Sequence, residues 1–368
     1  MNGNILALAL MVVVVACSRP SAGERSSGRL SEFVLATSRT FPALVEARPA
    51  ADDPTLLDAL GMIAVAPNGV TAVFSEPGGE LSIQMFAANG HLQSRVSRRG
   101  QGPGEFEWVS YMRFVDTDLV VLAPRRPVAM RFDLHGRFLD ESRLQATSLS
   151  VLGVADGIAD IVTYDASGFA GIALEHIGTR SARPFLSTRN RHVAEAAIGP
   201  PGAPLVQPPY VRTGRFGVIG VGSSYQLAVF DTTESELGVF GRTVPATPRG
   251  PRGLAQMQEV IKLALKQPSP RNGDLQRRLD TLDREPVPHF GRGALGIDER
   301  GRLWVVGRIG DSTFADAFAD TTFLGRHILP CLLSPGGASV NGSHIALRCL
   351  GGDDETYRLH LYRMAEPN

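Results

Sequence analysis

Five aspartates near the ends of β-rich runs, Asp116, Asp118, Asp165, Asp231 and Asp298, could supply oxygens to a hard cation. Such an ion needs several oxygens converging from separate elements. Turns use aspartate for backbone reasons alone, so these five matter only if the fold gathers them. The stretch Gly100-Gln101-Gly102-Pro103-Gly104-Glu105-Phe106 has the glycine content of a phosphate cradle. No Lys-Ser/Thr pair follows its last glycine, however, and Pro103 removes a backbone donor. A sharp turn between two structural units, capped or oriented by Glu105, is the better reading. The eight histidines (91, 135, 176, 192, 289, 327, 344 and 360) show no HxH or HExxH spacing, which argues against zinc. No Gly-x-Ser-x-Gly elbow is present for a serine nucleophile. The pairs Arg98-Arg99, Arg125-Arg126 and Arg277-Arg278 read as solvated loop charges rather than as an anionic glycan or peptide site. No catalytic residue is assigned and no cofactor is expected, with a divalent metal kept as the alternative.

What must position these side chains is a repeated strand-turn unit. It reads Phe86-Ala-Ala-Asn-Gly90-His-Leu92, then Phe132-Asp-Leu-His-Gly136-Arg-Phe138, with a decayed copy at Phe318-Ala-Asp-Thr-Thr-Phe323-Leu324. Several short strands per period of roughly 45 residues mark a propeller blade, which buries its faces only by stacking on neighbours. Period-two runs delimit six such units, at about 61–99, 107–144, 147–188, 209–245, 289–329 and 330–364. The fold expected is therefore all-β, a six-bladed β-propeller over residues 31–368. Its last blade is expected to be completed by an N-terminal strand at Phe33–Leu35 or Ala43–Ala47. Residues 245–288 break the pattern, because Leu254, Met257, Ile261 and Leu265, then Leu275, Leu279 and Leu282, follow helical spacing. A helical hairpin inserted between blades four and five is expected, serving as a brace on one face rather than as a lid.

The N-terminus addresses location. Ile5–Ala16 is an apolar run too short for a stable membrane span and of the length of a signal-peptide core. It ends in Val14-Val15-Ala16-Cys17-Ser18, which resembles the bacterial lipobox, although residues 1–4 carry no Lys or Arg. Residues 1–17 are read as a lipoprotein signal ending at the lipid-bearing Cys17, and residues 18–30 as a polar, flexible tether. The expected location is the bacterial envelope, lipid-anchored at the periplasmic face of the outer membrane; a soluble secreted or periplasmic protein is the alternative. Cys331 and Cys349 flank a turn near Val340-Asn341-Gly342, each nine residues from position 340. In an antiparallel hairpin that symmetry sets them opposite each other, within reach of a disulfide that an oxidising compartment favours. Lys plus Arg and Asp plus Glu balance at 37 each, so no global field draws nucleic acid.

Three stretches resemble the bacterial six-bladed propeller lipoproteins, relatives of NHL-repeat and TolB-like propellers. They are Arg99–Phe106, Pro286–Phe290 with Asp298–Val305, and Asp353–Met364. The resemblance spans about 60–364 and implies the fold. It implies no activity, since related propellers both bind and catalyse. The expectation is a monomeric scaffold for an envelope protein, peptide or glycan. The alternative is a pore-centred enzyme, a lactonase-like metal hydrolase or a lyase.

Overall fold

A computed structural model describes residues 43–47 and the strands, helices and most turns of 62–364. Short connections are left out, the longest being 145–150, 198–208, 285–294 and 351–356. Six four-stranded antiparallel sheets stand as blades around one axis. Strand β1 (Ala43–Ala47) comes first in the chain but belongs to the last blade. Blade one is β2 (Ile63–Val65), β3 (Thr71–Ser75), β4 (Ser82–Phe86) and β5 (Leu92–Val96). Blade two is β6 (Tyr111–Val115), β7 (Asp118–Ala123), β8 (Arg126–Phe132) and β9 (Phe138–Arg143). Blade three is β10 (Val151–Ala155), β11 (Ile158–Asp165), β12 (Gly168–His176) and β13 (Ser181–Ser187). Helix α1 (Arg191–Ala197) leads to blade four, β14 (Tyr210–Arg212), β15 (Phe216–Val221), β16 (Gln226–Asp231) and β17 (Glu236–Gly241). Helices α2 (Pro251–Leu265) and α3 (Asn272–Thr281) precede blade five, β18 (Leu295–Ile297), β19 (Leu303–Ile309), β20 (Ser312–Ala319) and β21 (Thr322–Leu329). Blade six is β22 (Leu332–Asn341), β23 (His344–Leu350) and β24 (Tyr357–Arg363), completed by β1.

The first strand of each blade is innermost and meets the first strand of the next around the ring. Burial is most continuous in the second strands of blades two and five and falls off at the outer edge. Leu119–Ala123 in β7 and Leu303–Gly307 in β19 are continuously buried, because both faces of an inner strand pack on neighbouring blades. The outer strands carry exposed residues, alternating in β5 and grouped in β9. The core lies between blades, as where Phe74 and Phe106 meet edge to face at 6.3 Å. The ring closes because β1 pairs antiparallel with β24, from Ala43 opposite Arg363 to Ala47 opposite Leu359.

Antiparallel order sends the first and third turns of every blade to one end, the turn face. The second connections and the inter-blade connections lie on the other, the loop face. On the turn face one device recurs: Asp133 Oδ1 accepts from the backbone N–H of His135 and Arg137, and Asp298 Oδ1 from those of Arg300 and Arg302. A glycine at positive φ, Gly136 or Gly301, completes each turn.

The helical hairpin lies between blades four and five as expected, and α2 is clamped on the loop face. Gln256 donates to the Tyr357 hydroxyl at 3.1 Å and accepts from Arg308 at 2.6 Å; Gly253 N–H donates to Asp311 at 3.0 Å. These partners belong to blades five and six, so α2 braces that junction. Three elements go beyond the sequence reading. Strand β13 is rich in polar and proline residues, β14 has only three residues, and α1 is a short helix whose first N–H groups are capped by Asn190.

The cysteine geometry also differs from the expectation. Asn341 pairs with His344, so the turn lies beyond position 340, and a bulge between Leu333 and Ala338 takes up part of the shift. Cys349 therefore faces Leu333, and Cys331 reaches it diagonally, with Cα atoms 5.5 Å apart and the sulfurs joined. Cys17, the tether at 18–30 and Phe33–Leu35 lie outside the described residues.

Candidate functional site

The structure separates the five candidate aspartates and commits most of them elsewhere. Asp298 holds Arg302 at 2.6 Å and the Trp304 indole N–H at 2.8 Å in addition to its own turn. Asp231 Oδ1 accepts from Thr233 N, Thr233 Oγ1 and Ser235 N, which lowers its pKa. Asp118 pairs with Arg131. Asp116 sits exposed in the β6–β7 turn at φ 53°, and Asp165 ends β11 at the opposite face. Among the described residues, no three His, Cys, Asp or Glu side chains gather as a metal site.

At the turn-face end of the axis, Asn341 from the inner strand of blade six donates to the carbonyls of Val65 and Phe114, at 3.0 and 3.2 Å. One amide thus ties the inner strands of blades one and two to blade six. His344 Nδ1 lies 3.0 Å from Pro67 O, and burial is the main cause of its lowered pKa. This end is built of structural contacts rather than convergent acids and bases.

The Gly102–Phe106 loop is the inter-blade joint read from the sequence. Glu105 Oε2 accepts from Gly102 N–H at 2.8 Å, Arg126 donates to Gly102 O at 2.5 Å, and Phe106 is buried between blades one and two. Arg126 also pairs with Glu141 at 2.6 Å. Each polar contact is spent inside the turn and its neighbouring blade, so the loop is a hinge pin and not a phosphate cradle.

A cleft opens instead on the turn face between blades four and five. Its volume is about 250 Å³, and its walls are mostly apolar: Phe216, Val218, Val229 and Phe240 from blade four, and Ile297 and Leu303 from blade five. Leu237, 62% exposed, stands at the mouth with Gly301 and Thr321. Phe240 is anchored edge to face on Phe318 at 5.3 Å.

Elsewhere in this junction lies a fully buried polar network. Asp316 Oδ1 accepts from Arg326 Nε at 2.5 Å, while Oδ2 accepts from Arg326 Nη2, Arg242 Nη1 and the Tyr225 hydroxyl. Arg326 lies over the Phe314 ring at 4.1 Å and Arg242 over Phe323 at 3.8 Å. One carboxylate faces two guanidinium groups, and the aromatic faces offset the remaining positive charge. Burial and the adjacent Asp316 push the Tyr225 phenol well above its usual range, so it stays a donor. The network ties blade four to blade five across the junction that holds the cleft. Pattern reading passed over this site, since its walls belong to separate repeats. The one local signal was the unit Phe230-Asp231-Thr-Thr-Glu-Ser235-Glu236-Leu237, a fourth copy of the strand-turn repeat with Glu236 at the usual aromatic or leucine position.

No family model and no curated protein matches the chain. Among solved structures, it is similar to a protein named as exported from Bacteroides fragilis, with 12% identity, TM-score 0.51, and 88% of this chain and 95% of the other covered. A DUF4221 family member from Bacteroides vulgatus aligns at 10% identity and TM-score 0.49, covering 89% and 98%. Regucalcin, a calcium-binding protein from Agrobacterium tumefaciens, aligns at 10% identity and TM-score 0.43, covering 85% and 94%. At these identities the first similarity speaks to the fold alone, and it agrees with the six-bladed propeller seen here.

Proposed function

We propose that this chain is an envelope-anchored binding scaffold that seats an apolar side chain of an envelope protein or peptide in the cleft between blades four and five. The observation that carries this reading is the cleft itself. It is preformed, mostly apolar and large enough for one or two side chains, with an exposed leucine at its mouth. A glycan would need polar partners that these walls do not offer. Rigid blades hold the walls, so little ordering entropy opposes binding. The anchor is Cys17, in keeping with the lipobox-like sequence and the resemblance to six-bladed propeller lipoproteins, and the protein acts as a monomer in the periplasm.

The test is photocrosslinking in cells from a probe residue at Leu237 and, separately, at Gln101 on the loop face. A protein or peptide adduct from position 237, absent from 101 and abolished by Val229→Asp, supports the reading. Indistinguishable adducts from both faces, or an adduct from 237 that survives Val229→Asp, would sink it.

A further inference from the structure

Three of the most exposed large apolar side chains in the described structure, Leu139, Leu237 and Leu324, occupy one repeated position. In blade two, Arg131 pairs with Asp140 and Phe132 with Phe138, which leaves Leu139 as the extra residue of a bulge. In blade four, Val229 pairs with Gly238 and Phe230 with Glu236, leaving Leu237. In blade five, Ala317 pairs with Gly325 and Phe318 with Phe323, leaving Leu324. Blade one has the same bulge, with exposed Gln93 in that place. Each bulge opens the outer strand directly after the third turn of its blade, so all three leucines project from the rim of the turn face. A bulge re-aims its side chain out of the ladder, which accounts for the exposure of these three leucines.

The second observation is where the chain before the propeller attaches. Strand β1 pairs antiparallel with β24, and Ala43 lies opposite Arg363, the last residue of β24. Because β24 runs from the loop face to the turn face, Ala43 sits at the turn face, on the outer edge of blade six. Whatever joins Cys17 to the propeller therefore arrives on the side that carries the leucine rim.

From these two facts we infer that the turn face is the membrane-apposed face, with Leu139, Leu237 and Leu324 resting on the lipid surface beneath a tether attached at blade six. The inference rests on the anchoring proposed above, and it narrows the cleft's ligand to one presented at the membrane surface. Leucines on blades two, four and five are spread around the ring, so together they set the tilt of the disc and do not merely touch at one edge. Each leucine alone has little area to bury, and the rim would not hold a free protein. Tethering keeps the face at high effective concentration near the bilayer, where weak contacts suffice to orient it.

The test uses the full chain, purified in detergent from bacterial membranes, with mass spectrometry of its N-terminal peptide. Thr321→Cys on the turn face and Gln101→Cys on the loop face are labelled with a polarity-sensitive dye. With Cys17 lipidated and Cys331 joined to Cys349, the new thiol is the reactive one. After reconstitution into phosphatidylethanolamine–phosphatidylglycerol vesicles containing brominated lipid, the dye at 321 should be quenched at least about threefold more than the dye at 101. Combining Leu139→Ser, Leu237→Ser and Leu324→Ser should remove that difference while the melting transition stays in place. A lipidated chain quenched equally at both positions overturns the orientation and leaves the anchor standing. An N-terminal peptide without lipid overturns the anchor and the orientation with it. A change at 321 that requires added envelope proteins, and does not occur with vesicles alone, makes a protein the occupant of this face and overturns the lipid contact.

Discussion

Tyr225 of blade four donates its hydroxyl to Asp316 of blade five at 2.6 Å, in a network from which solvent is excluded. Removing the carboxylate would leave Arg242 and Arg326 buried without their shared counter-charge. Breaking one side of such a pair costs about 3–5 kcal/mol. Asp316→Asn should therefore destabilise the domain strongly, whereas Tyr225→Phe should cost less, about 1.5–3 kcal/mol, the value of one hydrogen bond to a charge. Urea denaturation of both variants checks the order; equal, small losses would show that the network does not lock these blades.

Asp160 and His327 titrate in opposite senses. Burial raises Asp160 from 3.8 to about 6 despite Arg212 at 2.6 Å. Burial lowers His327 from 6.5 to about 4. An acid with a raised folded pKa makes stability fall as pH rises from about 4 to 6. A base with a lowered folded pKa makes stability fall as pH drops from about 6.5 to 4. Each effect is on the order of 3 kcal/mol, so in the wild type they largely cancel across one window. His327→Gln removes the second effect, and the variant should gain about 2–3 kcal/mol relative to wild type between pH 7 and pH 4. Urea midpoints at four pH values measure this, and a pH-independent difference would contradict it.

The Cys331–Cys349 bond closes a loop with a sequence separation of 18 in the blade that also receives β1. A loop of that size predicts about 3 kcal/mol from restriction of the unfolded chain. Cys349 is fully buried, so reductant should act only when the protein is unfolded. Cys331→Ser/Cys349→Ser should melt several degrees lower, and dithiothreitol should release no thiol from the folded protein until heat or denaturant unfolds it. Rapid thiol release from the native protein would contradict the buried bond.

Gly104 turns the inter-blade loop at φ +72°, and a Cβ there would come within 2.8 Å of the Phe138 ring. Gly104→Ala combines a left-handed backbone with a clash and should cost more than about 1 kcal/mol. Glu105→Gln keeps an acceptor for Gly102 N–H and should cost less. If thermal melts rank the two variants the other way, this account of the joint is wrong.

On the turn face Asp118, Asp231 and Asp298 are held by arginines, an indole, a hydroxyl and backbone N–H groups. EDTA should accordingly leave the melting temperature of the purified protein unchanged. A stoichiometric metal by elemental analysis, with a melt lowered on chelation, would redirect attention to a lactonase-like hydrolase.

The sequence by itself determined the architecture. The spacing of Phe86, Gly90 and Leu92 and of Phe132, Gly136 and Phe138 is local, and a blade's turns depend on neighbours in the chain. Six blades and the helical hairpin were legible for that reason; the closing strand was narrowed to Phe33–Leu35 or Ala43–Ala47, and the pairing with β24 identifies Ala43–Ala47. Strand β13 was not legible, because an outer edge tolerates polar residues and proline and so loses its alternation. The cleft and the Asp316 network were decided only by tertiary structure, because they join residues of different blades at distances that closure of the ring sets. Leu139, Leu237 and Leu324 follow the same position of the repeat, and only their bulges and exposure came from the fold. The disulfide lies between these cases: its two strands were readable, but its diagonal register depends on a bulge that a hydrophobic pattern does not show.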